Sequence, residues 1–193
     1  IISLLNLQSD YIKDEQTLKA VTDGQNRVRS MALVHEKFYQ AEELAEINFE
    51  EYTEKLWRFL YQSYGNSSDR IQVKVESDPG IAFDMDTAMP CGLLINEIVS
   101  NCYKYAFPGE RNGEIRIEFR RTGSNRILIS ISDNGIGLPE GFSVEGSESL
   151  GMQLIQALTT QLEGDLRVHN NTGGTRFDIE FTYPKILQEK ATV

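Results

Sequence analysis

Two short runs, Ile115-x-Ile117-x-Phe119 and Ile127-x-Ile129-x-Ile131, set an apolar residue at every second position on either side of Thr122-Gly123-Ser124-Asn125. Successive strand side chains point to opposite faces, so each run buries one face and wets the other, and the turn folds the two into an antiparallel hairpin. A sheet with one apolar face must be covered. The neighbouring sequence offers helices that can cover it, an apolar stretch from Ala88 to Ala106, with Asp86 as cap and Pro90 in the first turn, and a second from Leu150 to Leu162 between Ser149 and Gly164. Asn48 and Glu51 read as a capping box ahead of Tyr52, Leu56, Phe59 and Leu60, with Gly65-Asn66-Ser67-Ser68 as the stop. Ile71, Val73 and Val75, and later Phe177, Ile179 and Phe181, alternate as further strands. Residues 47–185 therefore predict an α+β fold, a two-layer α/β sandwich.

The front of the chain has a different texture. Leu18, Val21, Gln25, Val28, Ala32, His35 and Tyr39 follow the three-four spacing of a coiled-coil seam, and Ile1, Leu5, Gln8 and Ile12 make a shorter stripe before a turn at Lys13-Asp14, with Asp14 as cap. Residues 1–43 thus predict a helical hairpin whose seam needs a partner, most simply a second copy in a dimeric four-helix bundle. Its 193 residues suit one domain with an appendage. Nineteen Lys and Arg against 29 Asp and Glu leave a net charge of −10, which repels phosphate backbones and anionic headgroups, so neither nucleic acid nor a membrane is an expected contact. Cys91 and Cys102 fall on one helix roughly 16 Å apart, too far for a disulfide, which suits a reducing, cytoplasmic setting. Without an initiator Met, the sequence is expected to be part of a longer chain, soluble or membrane-anchored.

Four signals carry chemistry. Glu97, Asn101 and Lys104, with Tyr105 beside them, form a polar stripe inside the apolar helix. A carboxylate, an amide oxygen, an ammonium and a phenol on one side suit a Mg²⁺-bound polyphosphate, although a solvated helix face has the same pattern. Asp133-Asn134-Gly135-Ile136-Gly137 follows a strand, where glycines let the backbone approach a flat ligand and a carboxylate can accept from an exocyclic amine; an Asp-capped turn is the plainer alternative. Ser149-Leu150-Gly151-Met152 opens a helix whose free N–H groups favour anions, and Gly173-Gly174-Thr175 enters the last strand, where a simple hairpin turn would look alike.

In this order, N-E-I-V-S-N-C-Y-K-Y-A-F, D-N-G-I-G, S-L-G-M and G-G-T resemble the ATP-binding fold shared by sensor histidine kinases, Hsp90 chaperones, MutL mismatch-repair proteins and type II topoisomerases. In front of them, Arg27-Val28-Arg29-Ser30-Met31-Ala32-Leu33-Val34-His35-Glu36-Lys37 resembles the second dimerisation helix of one subfamily of sensor histidine kinases, and Ile1-Ile2-Ser3-Leu4-Leu5-Asn6-Leu7-Gln8 the end of its first. The resemblance implies ATP as substrate, Asn101 as Mg²⁺ ligand, Lys104 at the phosphates, Tyr105 among the ATP-binding residues, and Asp133 as acceptor for the adenine amine. Gly135 and Gly137 would shape the adenine wall, Ser149 and Gly151 would lie at the phosphates with Leu150 among the ATP-binding residues, and Thr175 would reach adenine through water. Glu97 falls where ATPase relatives keep the base that activates water, and in a kinase orienting the metal's water or the attacking imidazole is equally open.

Two departures stand out. The expected ATP lid, from Pro139 to Ser149, carries Glu140, Glu145 and Glu148 with no Lys or Arg. The subfamily's phosphate-accepting histidine lies upstream of the segment matching Ile1, and the two histidines present, His35 and His169, match no acceptor: His35 reads as a packing residue of the seam, His169 as a surface residue. The resemblance implies a homodimer that passes phosphate from its own histidine to a response regulator's aspartate, with this chain unable to label itself. An ATPase using Glu97, a non-catalytic nucleotide-binding scaffold, and a serine protein kinase of the anti-sigma type share the same pocket.

Overall fold

A computed structural model describes residues 7, 11–40, 47–63, 70–139, 141–144, 146–147, 149–171 and 173–183. The expected first helix, the stop at 65–68, the side chain of His35 and the lid residues Glu140, Glu145 and Glu148 lie outside what is described.

Helix α1 (Glu15–Gln40) leads into a two-residue strand β1 (Ile47–Asn48) and helix α2 (Phe49–Ser63). Strands β2 (Ile71–Ser77) and β3 (Ala82–Phe83) precede helix α3 (Met85–Asn101), which widens into a π-helical turn at Cys102–Ala106. Strands β4 (Gly113–Arg121) and β5 (Arg126–Asp133), helix α4 (Leu150–Gln161), and strands β6 (Asp165–Asn171) and β7 (Gly174–Thr182) complete the order. Strands run β2-β4-β5-β7-β6, with β2 parallel to β4 and every other pair antiparallel; β1 and β3 form a separate small ribbon.

The alternation of the β4–β5 hairpin explains the layering. Ile115, Ile117, Phe119, Ile127, Ile129 and Ile131 are buried under the helices, joined by Phe177, Ile179 and Phe181 of β7. Phe49 anchors the other layer, with ring centroids 4.7 Å from Phe83 and 5.2 Å from both Tyr52 and Phe119. The opposite sheet face carries ions that pair across strands, such as Arg120 with Glu76 at 2.7 Å and Glu118 at 2.8 Å. The α+β two-layer expectation is met.

Three local readings need correction. Helix α3 starts at Met85 and is capped by Asp84, whose Oδ1 accepts from the Thr87 N–H at 3.0 Å; Asp86 lies inside the first turn, and Pro90 falls one turn deeper than expected. The helix does not stay α-helical to Ala106, because the π turn begins at Cys102. Gly164 does follow the end of α4 as its expected stop, its N–H donating to the Thr159 carbonyl at 3.0 Å, with Glu163 before it left-handed at φ 52°. Strand β6, which pairs along β7 from Asp165 to Asn171, has no clear alternation in the sequence and was not expected as such.

Helix α1 lies against α3, and the face it buries is not the expected seam. Asn26, Ser30 and Val34 are buried there, while Val21, Gln25 and Val28 are half-buried and Leu18 and Ala32 exposed. Tyr52 Oη donates to the Ser30 carbonyl at 3.3 Å, tying α2 to α1. Asp14 caps α1 as expected, accepting from the Thr17 N–H at 2.7 Å. Cys91 and Cys102 are buried free thiols. Among the described residues, no helix is long and apolar enough to cross a membrane.

Candidate nucleotide site

A cavity of about 440 Å³ opens between α1, the end of α3, the Asp133–Leu138 loop and the starts of α4 and β7. That size suits a small-molecule ligand. Asn101 and Asp133 both line it, so the polar stripe and the glycine-flanked aspartate face one space.

At one end, β5 delivers Asp133. Its Oδ1 accepts from the Gly135 N–H at 2.8 Å, and Cys102 Sγ lies 3.7 Å from its Oδ2. Burial pushes this carboxyl above its ordinary range, opposed by hydrogen bonds from the Gly135 and Thr175 backbone. Asn134 extends the pairing with β4, its Oδ1 accepting from the Glu114 N–H at 2.7 Å. The loop is then held on both sides. The Ile136 N–H donates to the Ala106 carbonyl at 3.0 Å, and Asn170 Nδ2 and Oδ1 bracket Leu138 at 3.0 and 2.8 Å. A Cβ on Gly135 would come within 2.4 Å of the Ala106 oxygen, and Gly137 sits at φ 78°, where a side chain is strained. Of the two, Gly137 lines the cavity and Gly135 backs the turn. Thr175, buried, enters from β7.

The other end is built on α3. Glu97 is buried inside the helix layer, and its carboxylate accepts from Arg27 Nε at 2.7 Å, Arg27 Nη2 at 2.8 Å and Asn96 Nδ2 at 3.0 Å. Asn101 lies one turn on. Lys104 Nζ meets Asp23 Oδ1 at 2.6 Å, and Tyr105, 67% exposed, stands at the rim. Helix α4 begins opposite: Ser149 Oγ accepts from the Met152 N–H at 3.3 Å, and a Cβ on Gly151 would lie 3.1 Å from Glu97 Oε2. Leu150 lines the mouth and is largely exposed. All expected site residues except Gly135 therefore line one cavity, with the α4 N-terminus aimed across it.

No three His, Cys, Asp or Glu side chains converge on a metal position among the described residues. Mg²⁺ keeps several waters and takes one or two protein ligands plus phosphate oxygens, so a lone amide oxygen at Asn101 fits a cation that arrives with its phosphates. Asp23 and Arg27 were missed by sequence reasoning. Both sit on α1, where the seam spacing drew attention to the other face; the signal available was the absence of any Lys or Arg in the lid, which leaves a phosphate end short of cations.

A family model described as histidine kinase matches residues 1–64, and one described as histidine kinase-, DNA gyrase B-, and HSP90-like ATPase matches residues 87–185. The sensor histidine kinase PdtaS of Mycobacterium tuberculosis is 30% identical over 169 residues, covering 86% of this chain and 33% of that protein. Its counterpart from Mycolicibacterium smegmatis is 29% identical over 178 residues, covering 91% and 35%. The chain thus spans about a third of the length of these relatives. Among solved structures, the kinase domain of the blue-light-activated histidine kinase EL346 from Erythrobacter litoralis superposes with a TM-score of 0.75 at 19% identity, covering 96% of both chains, a likeness of fold.

Proposed function

Because the chain belongs to the histidine kinase-, DNA gyrase B- and HSP90-like ATPase family, in its sensor histidine kinase branch, we propose that it binds Mg·ATP and supplies the γ-phosphoryl group to a histidine. The observation that carries this reading is the shared cavity of Asn101 and Asp133. In it the ionised Asp133 accepts a hydrogen bond from the adenine amine, the backbone at Gly137 lets the ring lie close, and Thr175 backs the same end. Lys104 and the first N–H groups of α4 meet phosphate oxygens. Asn101 would hold a Mg²⁺ bound with the nucleotide, which would supply positive charge against the phosphates.

Transfer forms a bond from an imidazole nitrogen to the γ-phosphorus and breaks the bond to the β-phosphate oxygen, with ADP leaving. The acceptor histidine belongs to a longer parent, most simply a homodimer working in the cytoplasm, which then passes the group to an aspartate of a response regulator. The test is calorimetric titration of the 193-residue chain with Mg·ATP, followed by incubation with γ-labelled ATP. Saturable binding that Asp133→Asn removes, with no stable label on His35 or His169, is the expected result. Steady phosphate release without a protein acceptor would instead favour an ATPase in which Glu97 activates water.

A further inference from the structure

Resting on that nucleotide reading, we infer that Arg27, a residue of the helical front segment, reads the γ-phosphate and so discriminates ATP from ADP. The family model of the ATP-binding fold covers residues 87–185 and leaves α1 outside it, yet Arg27 and Asp23 line the cavity.

The register places Arg27 at the terminal phosphate. Along α3 and its π turn, the residues lining the cavity run from Lys104 and Cys102, the latter against Asp133, through Asn101 to Glu97. If Asp133 marks the adenine end, Glu97 marks the far end. Helix α1 crosses antiparallel to α3, with Asp23 on Lys104 and Arg27 on Glu97. On that register the guanidinium lies toward the end into which a third phosphate would extend beyond a second.

Charge makes the same demand. Among the described residues lining the cavity, Arg27 and Lys104 are the cations, against the carboxylates of Asp23, Glu97 and Asp133. The lid sequence from 139 to 149 has neither Lys nor Arg to add. A triphosphate carries more negative charge than a diphosphate, and a cis arginine is an established way to meet γ-phosphate charge in phosphoryl transfer.

The geometry of the pair suits this role. Glu97 is nearly inaccessible, its side chain 7% exposed, and Asn96 fixes it from behind, while the Arg27 side chain is 21% exposed. A guanidinium presents five N–H donors in a rigid fork that matches phosphate as well as carboxylate, so the side chain that Glu97 holds can meet a phosphate. Glu97 then acts as the orienter of Arg27, a positioning role.

Asp23 has the converse part. Its carboxylate occupies Lys104 in the way a phosphate oxygen would, so any nucleotide reaching Lys104 must displace it, ADP and ATP alike.

The experiment is calorimetry of the 193-residue chain with Mg·ADP and with the Mg complex of a non-hydrolysable β,γ-imido ATP analogue, for wild type, Arg27→Gln, Arg27→Lys and Asp23→Asn. Loss of a charge-assisted bond to phosphate predicts at least about tenfold weaker binding of the triphosphate to Arg27→Gln, with ADP affinity held within about twofold. Arg27→Lys should recover part of the loss, and Asp23→Asn should tighten both ligands. An equal loss for both ligands would make Arg27 structural and overturn the inference, as would tighter triphosphate binding, which would make α1 a plug. If wild type binds neither ligand, the nucleotide reading itself fails; if it binds both and Arg27→Gln changes neither, only the arginine's role does.

Discussion

Gly174 abuts the backbone of Asp133 so closely that a Cβ at position 174 would lie 1.8 Å from the Asp133 carbonyl oxygen, and its φ of 128° falls where only glycine is relaxed. Strand β7 thereby brings Thr175 against the aspartate at the strand end. Gly174→Ala is expected to destabilise the fold by about 2–4 kcal/mol and to lower nucleotide affinity, while Gly173→Ala, whose Cβ would meet nothing within 4 Å, stays within roughly 0.5–1 kcal/mol of wild type. Thermal melts of the two variants side by side check this; equal shifts would contradict it.

Asp133→Asn is expected to weaken adenine nucleotides at least tenfold and yet to stabilise the empty fold slightly at neutral pH. Burial raises the carboxyl's pKa in the folded state, so its protonated form is the better-tolerated one: that contribution is full below the unfolded pKa and is lost as pH rises through the folded value. Nucleotide affinity runs the other way and should fall as pH drops through the raised value, because the adenine amine needs the carboxylate. Binding isotherms across mildly acidic pH would show this slope in wild type, and its survival in the variant would refute the assignment.

Asn101→Ala should separate metal from base. With Mg²⁺ present the loss of ATP affinity is expected to be about tenfold or more; in chelator the variant should match wild type, whereas Asp133→Asn remains impaired. Equal losses for both variants in chelator would contradict the two roles.

Gly92 on α3 faces Tyr52 of α2, and a Cβ there would come within 2.1 Å of Tyr52 Oη. Gly92→Ala is expected to cost about 1–3 kcal/mol by overpacking. Tyr52→Phe, which gives up the bond to the Ser30 carbonyl, should cost roughly 0.5–1.5 kcal/mol alone, but the double variant should be more stable than the sum of the two. Urea denaturation of the four proteins measures that coupling, and simple additivity would mean the hydroxyl is not what the methyl meets.

Much of the ATP-binding half was legible because its signals are local. Ile115 to Ile131 announce a one-faced hairpin by period alone, and Asp14, Asn48 and Ser149 cap helices where a side-chain oxygen precedes an apolar run. What escaped depends on tertiary context. Asp84 and Asp86 are equally good caps on paper, and Asp84 is held in place by its own N–H donating to Tyr183 Oη at 3.1 Å, a contact from the far end of the chain. Strand β6 exists because β7 offers it an edge, and Leu166 and Val168 alone are a weak pattern. Arg27 and Asp23 were hidden for a similar reason: whether α1 presents them to α3 is decided by packing across some seventy residues of sequence, which helical spacing does not encode.

The π turn at Cys102–Ala106 fits one residue more into its coil than an α-helix would. Deleting a single residue there would close the coil to an ordinary α turn and remove the widened path from which Lys104 reaches the cavity and the Ala106 carbonyl accepts from Ile136. The length of this stretch is therefore a constraint on the pocket in its own right, alongside the chemistry of Lys104.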